Sequence, residues 1–102
     1  MTLDVAKFTK ATHYPDGYLK SGIPLGKVTA SGLYGPYDGA ASDGRQTAVG
    51  FLFTAQDVDA RRVASTKVVG SMLIHCFIRE AKLPVTIDAD GKADVAGRII
   101  FV

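Results

Sequence analysis

The sequence predicts one predominantly β domain, made of short strands joined by many turns, with at most one or two short helices. Three features point there. Glycines crowd the first half of the 102-residue chain, at Gly17, Gly22, Gly26, Gly32, Gly35, Gly39, Gly44 and Gly50, a spacing too tight for a helix of ordinary length. Short β-favouring pieces lie between them. Two nearly continuous apolar runs, Ala48–Thr54 (AVGFLFT) and Ser71–Ile78 (SMLIHCFI), read as strands buried on both faces. The architecture expected is a small incomplete barrel or bent ribbon.

In chain order, residues 1–13 (MTLDVAKFTKATH) read as an extended N-terminal arm ahead of a single domain at 14–102. Leu3 and Val5 alternate with polar neighbours, Phe8 breaks the phase, and none of the three has an obvious place in the domain core. Pro15-Asp16-Gly17 is a turn: Pro presets φ, Asp bonds the local backbone and Gly accepts positive φ. Pro24–Thr29 and Leu33–Tyr34 are short strands, and Asp38–Gly44 is a long hairpin loop. Gly50, inside an apolar run, marks a bulge or a close backbone approach. Asp57–Lys67 reads as a weak helix or a loop. Arg79–Leu83 makes one helical turn, stopped by Pro84. Val85–Ile87 is a short strand, Asp88-Ala89-Asp90-Gly91 a turn, and Arg98–Val102 (RIIFV) a last strand.

Composition limits the function. The formal net charge is +2, from 12 basic and 10 acidic side chains. The basic residues are dispersed, whereas a nucleic-acid binder concentrates positive charge on one face. The single cysteine, Cys76, excludes an intramolecular disulfide and fits a reducing compartment. No stretch free of charged residues approaches the ~20 residues of a membrane-spanning helix, and no secretory signal is visible at the start.

Chemistry-bearing motifs are scarce. His75 adjoins Cys76, but neighbours on a strand point to opposite faces. They read as a packed histidine and a core thiol, not as a catalytic dyad. No His, Cys or Glu pair has metal-site spacing. The Asp38–Gly44 segment lacks the alternating ligands and terminal Glu of a calcium loop. The glycines spell no phosphate-binding motif, and no serine lies in a nucleophile elbow. Asp88 and Asp90 read as backbone caps in a turn. No catalytic residue, metal or cofactor is expected.

The order of motifs is more telling than any one of them. Tyr18-Leu19-Lys20-Ser21-Gly22-Ile23-Pro24-Leu25-Gly26-Lys27-Val28-Thr29 is followed by Gly32-Leu33-Tyr34-Gly35-Pro36-Tyr37. Then come Ser42-Asp43-Gly44-Arg45-Gln46-Thr47-Ala48-Val49-Gly50-Phe51-Leu52, Arg79-Glu80-Ala81-Lys82-Leu83-Pro84 and the closing Ala96-Gly97-Arg98-Ile99-Ile100-Phe101-Val102. This succession resembles the lambda-type head decoration proteins of tailed bacteriophages, over Tyr18 to Val102, while residues 57–70 and the arm match poorly.

The resemblance implies a β-clip fold, in which a bent two-stranded ribbon ends in an incomplete barrel. It implies a homotrimer bound to the major capsid protein at three-fold positions of the expanded head, bracing the shell against packaged DNA. The place would be the outer surface of the virion, after synthesis in the host cytoplasm. It implies no enzymatic activity, cofactor, nucleic-acid partner or membrane. On this reading Phe51, Phe53, Leu73, Ile74, Phe77, Ile99 and Phe101 serve as core or trimer packing. Leu3, Val5 and Phe8 on the arm grip the capsid, with the arm ordering only on binding. Two alternatives remain: a trimeric β-clip nucleotide pyrophosphatase, with Asp88, Asp90 and Gly91 as its faint echo, and a small barrel binding single-stranded nucleic acid through Tyr34, Tyr37 and Phe53.

Overall fold

The computed structural model describes residues 1–58 and 67–102. Ten short strands dominate: β1 (Thr2–Asp4), β2 (Tyr18–Leu19), β3 (Pro24–Lys27), β4 (Tyr34–Pro36), β5 (Gly50–Leu52), β6 (Gln56–Asp57), β7 (Lys67–Val69), β8 (Met72–Leu73), β9 (Cys76–Ile78) and β10 (Ile99–Phe101). Two short helices accompany them, α1 (Lys10–His13) and α2 (Ala89–Asp94), with single 3-10 turns at Val5–Lys7 and Glu80–Lys82. The second 3-10 turn is the one expected ahead of Pro84.

Six strands form one curled half-barrel sheet in the order β7-β1-β4-β3-β5-β8. Its centre is the antiparallel set β4-β3-β5, with Gly26 opposite Gly35 and Leu25 opposite Gly50. Glycine is required here by contact rather than by φ. A Cβ on Gly50 would sit 2.5 Å from the Leu73 carbonyl oxygen on β8, and one on Gly26 would sit 2.6 Å from Cα of Arg45. The close approach expected at Gly50 is therefore present. At Gly17 the turn after Pro15-Asp16 takes φ +88°, which only glycine adopts at little cost.

Two apolar clusters fill the fold. The first collects Leu3, Phe8, Leu19, Ile23, Leu25, Leu52 and Val58. The second collects Ala48, Phe51, Ile78, Ile87, Val95 and Ile99. Adjacent Phe51 and Leu52 on β5 feed different clusters, as opposite faces of a strand must.

Four local expectations are corrected. The run 71–78 is not one doubly buried strand. It divides into β8, which pairs with β5, and β9, which pairs with β10, and the chain bends at Ile74–His75 to pass from one sheet to the other. The expected alternation is lost at that bend. Val85–Ile87 forms no strand: it has no pairing partner, and Ile87 instead packs into the second cluster just before a helix begins. Residues 88–91 open α2, with the Asp88 carboxylate accepting the Gly91 N–H at 2.8 Å. This realises the capping role expected of Asp88, on a helix rather than in an isolated turn. The first thirteen residues are not free of the domain, because β1 inserts between β4 (parallel) and β7 (antiparallel). Of the segment 57–67, residues 59–66 lie outside the described residues.

Candidate functional site

The parallel pair β9–β10 is apolar on both of its faces. Its register sets Ile99 against Cys76, Ile100 against Phe77 and Phe101 against Ile78. Alternation then sorts the side chains. Ile78 and Ile99 are buried and Cys76 and Phe101 partly so, all packed with the second cluster. On the other face Phe77 is 72% exposed, Ile100 51% and Val102 67%. Both faces are apolar in sequence, so the run lacks any period, yet one chain covers only one of them. Adjoining apolar side chains left in water mark an interaction surface.

The remaining residues assigned to packing divide the same way. Phe51 is fully buried and Ile99 nearly so, whereas Phe53 and Ile74 are about half exposed (55% and 51%) and Leu73 is partly buried. Phe53 and Ile74 are thus not core residues of the single chain, because Phe53 lies just past the end of β5 and Ile74 in the bend after β8. Beside these elements lies a cleft of about 240 Å³, lined by Phe51, Leu73, Ile78, Leu83 and Pro84 with the cationic Arg79 and Lys82.

The residues assigned to capsid contact stand differently from expectation. Leu3 is fully buried, Phe8 is 5% exposed, and Val5 packs at the margin of the first cluster. They found a place in the core because β4 and β7 leave a strand-wide gap that β1 fills, which no local pattern at the N-terminus discloses. The Asp4 carboxylate caps the following 3-10 turn by accepting the Ala6 N–H at 3.2 Å. Lys7 reaches Asp43 at 3.8 Å, tying the segment to the loop after β4. Asp43 also accepts from the Arg45 backbone and guanidinium, which hold its carboxyl below the usual carboxylate range.

Two groups take roles that the sequence reading did not assign to them. His13 is 9% exposed, and its Nδ1 accepts the Thr9 N–H at 2.8 Å while its ring meets Phe8 edge-on, centroids 5.4 Å apart. The legible signal was the spacing: an acceptor four residues after a threonine that starts a helix. Tyr37 donates its hydroxyl to Asp88 at 2.6 Å. That bond first, then burial and the charges of Asp88, Asp94 and Asp90, hold the phenol protonated well above its ordinary range.

His75 is exposed on the bend rather than packed, and Cys76 is a half-buried neighbour of the second cluster. Among the described residues no group of three or more His, Cys, Asp or Glu is placed to hold a metal ion. Asp88, the faint echo of a metal-binding carboxylate, is engaged by Tyr37 and the start of α2. No helix among the described residues is long and apolar enough to cross a membrane.

Comparison with known proteins adds one finding. A family model described as bacteriophage lambda head decoration protein D matches residues 4–98, from the end of β1 to the residue before β10. No curated protein matches the chain. The matched span takes in five of the six half-barrel strands whole, with α2 and β9, so the chain belongs to the lambda head decoration protein family, structural proteins of the phage capsid and not a family of enzymes.

Proposed function

We propose that the protein decorates the expanded phage head as a homotrimer, seated on the major capsid protein at three-fold positions, and braces the shell against the pressure of packaged DNA. The observation that carries the trimer is the outer face of β9–β10, where Phe77 and Ile100 lie side by side and exposed. A second copy removes that face from water, at about 25 cal/mol per Å² of apolar area covered. A three-fold ring closes through a head-to-tail interface, so each copy presents two different patches, and the β9–β10 face is one of them. Phe53 and Ile74 are further apolar side chains available to such contacts.

Capsid contact needs little area per copy. Once one subunit of a trimer is seated, the other two bind in effectively intramolecular steps. The test is in two parts on purified protein. Native mass spectrometry of the parent and of a Phe77→Ser/Ile100→Ser variant reads the oligomer. Imaging of undecorated, expanded capsids after incubation reads occupancy and its lattice position. A parent trimer on three-fold positions, and a monomeric variant that leaves the shell bare, are the expected results. A trimer unaffected by the double substitution removes β9–β10 from the interface, and density at other lattice positions overturns the seating.

A further inference from the structure

His13 occupies a position that its chemistry makes conditional. It ends α1, the last element before the Pro15-Asp16-Gly17 turn, and it is the one buried polar or charged side chain among the described residues. Its Nδ1 accepts the Thr9 N–H, so this nitrogen carries no proton in the docked state. Its ring packs edge-on to Phe8, and Phe8 belongs to the cluster that also holds Leu3. One imidazole therefore joins the two apolar anchors of residues 1–13 to the turn that leads into the domain.

We propose that His13 is an acid-sensitive latch: protonation of its imidazole releases residues 1–13 from the domain. The proton must go to Nδ1, the atom already occupied by the Thr9 N–H. The hydrogen bond is lost, two N–H groups then point at one another, and a positive charge sits in an apolar pocket beside Phe8. Relief comes from opening the segment, which lets the imidazolium reach water. Burial holds the proton affinity of His13 below that of a free histidine.

Among the described residues no other charge compensates. The ionisable groups in chain or on the elements of this cluster include the Met1 ammonium, Asp4 and Lys7 in the N-terminal segment, Lys10 on α1, the adjoining Tyr14, Asp16 in the turn, Tyr18 on β2, Lys27 on β3, Tyr34 on β4 and Lys67 on β7. Among the described residues, none acts on His13 by its charge, and Lys7, Lys10, Asp16 and Lys27 are exposed. The sign follows. A histidine whose affinity is lowered by docking stabilises the docked state fully above its free value of about 6.5. That stabilisation is lost as pH falls from there through the lowered value. The open population rises by up to about tenfold per pH unit in that window.

The experiment is amide hydrogen exchange of the full chain at pH 7.5, 6.0 and 5.0, corrected for intrinsic exchange rates, with the His13 ring followed by NMR. Three chains are compared: the parent, His13→Gln, whose amide oxygen can still accept from Thr9 without titrating, and His75→Gln as the control. Protection of residues 2–13 is expected to fall at least tenfold between pH 7.5 and 5.0 in the parent and in H75Q, while H13Q stays level. An H13Q segment already open at pH 7.5 shifts the decision to the parent, where opening must track protonation of the His13 ring. Acid loss of protection that persists in a docked H13Q, or parent opening that does not follow the ring, overturns the latch. These readouts need neither trimer nor capsid, so they stand apart from the decoration reading.

Discussion

Phe51 and Phe77 are phenylalanines in two apolar runs of similar character, and the fold treats them oppositely. Phe51 is fully enclosed and lies edge-on to Phe101 with ring centroids 5.9 Å apart, whereas Phe77 stands 72% exposed on the outer face of β9. Phe51→Ala is expected to lower unfolding stability by about 3–5 kcal/mol, since both transfer energy and a cavity are lost. Phe77→Ala removes no core contact, so at concentrations where the chain is a monomer its stability should stay within about 0.5 kcal/mol of the parent. Urea denaturation of the two variants side by side checks both values. Asp88 supplies a pH dependence at this scale. The Tyr37 hydroxyl first, and the Gly91 N–H second, hold its carboxyl below the ordinary range. A depressed carboxyl stabilises the fold fully above its unfolded value near 3.9 and loses that contribution as pH falls further. The urea midpoint should therefore drop between pH 5 and pH 3, and Asp88→Ala should lower the midpoint at pH 5 while flattening that drop.

At the scale of elements, the N-terminal segment is a strand, a 3-10 turn and a short helix with a seat, not a tail. β1 closes the gap between β4 and β7, and its Leu3 shares a cluster with Leu19, Leu25 and Leu52. Deleting residues 2–12 is consequently expected to lower the melting temperature of the isolated protein, because two buried side chains leave the core. Any loss of capsid occupancy in that variant must be compared with the milder Val5→Ser, which leaves Leu3 and Phe8 in place. Occupancy retained by a folded deletion would exclude the segment as the capsid grip. Cys76 on β9 contributes a smaller effect. Half-buried against the second cluster, it should tolerate Cys76→Ser with a loss of about 1 kcal/mol or less, read by thermal unfolding under reducing conditions.

For the whole molecule, two clusters and a half-barrel sheet leave apolar faces that a single chain does not cover. Avidity makes the consequence large. If three copies bind together, a variant that folds but stays monomeric should bind expanded capsids about 10²–10⁴-fold more weakly than the trimer. A sedimentation binding curve of F77S/I100S against the parent measures this. Equal affinities would mean that each copy grips the shell alone.

How much of this was legible depends on the range of the interaction. The β class, the turn at Pro15-Asp16-Gly17, the helical turn before Pro84 and the Asp88 cap are set by neighbours within a few residues. Backbone sterics, hydrogen-bonding reach and hydrophobic repetition therefore inscribe them in the sequence. The order of short motifs likewise carried the family. Tertiary structure alone decided which apolar residues are inside. The run from Ser71 to Ile78 has no period that separates β8 from β9, because each half packs against a strand twenty or more residues away in the chain: β5 for one, β10 for the other. Leu3 and Phe8 read as orphans until β4 and β7 supplied their walls, and His13 gained its meaning only when Phe8 and the Thr9 N–H closed around it. Local pattern records what a residue prefers. Burial is settled by the distant segments that come to rest against it, and those contacts are written nowhere near the residue itself.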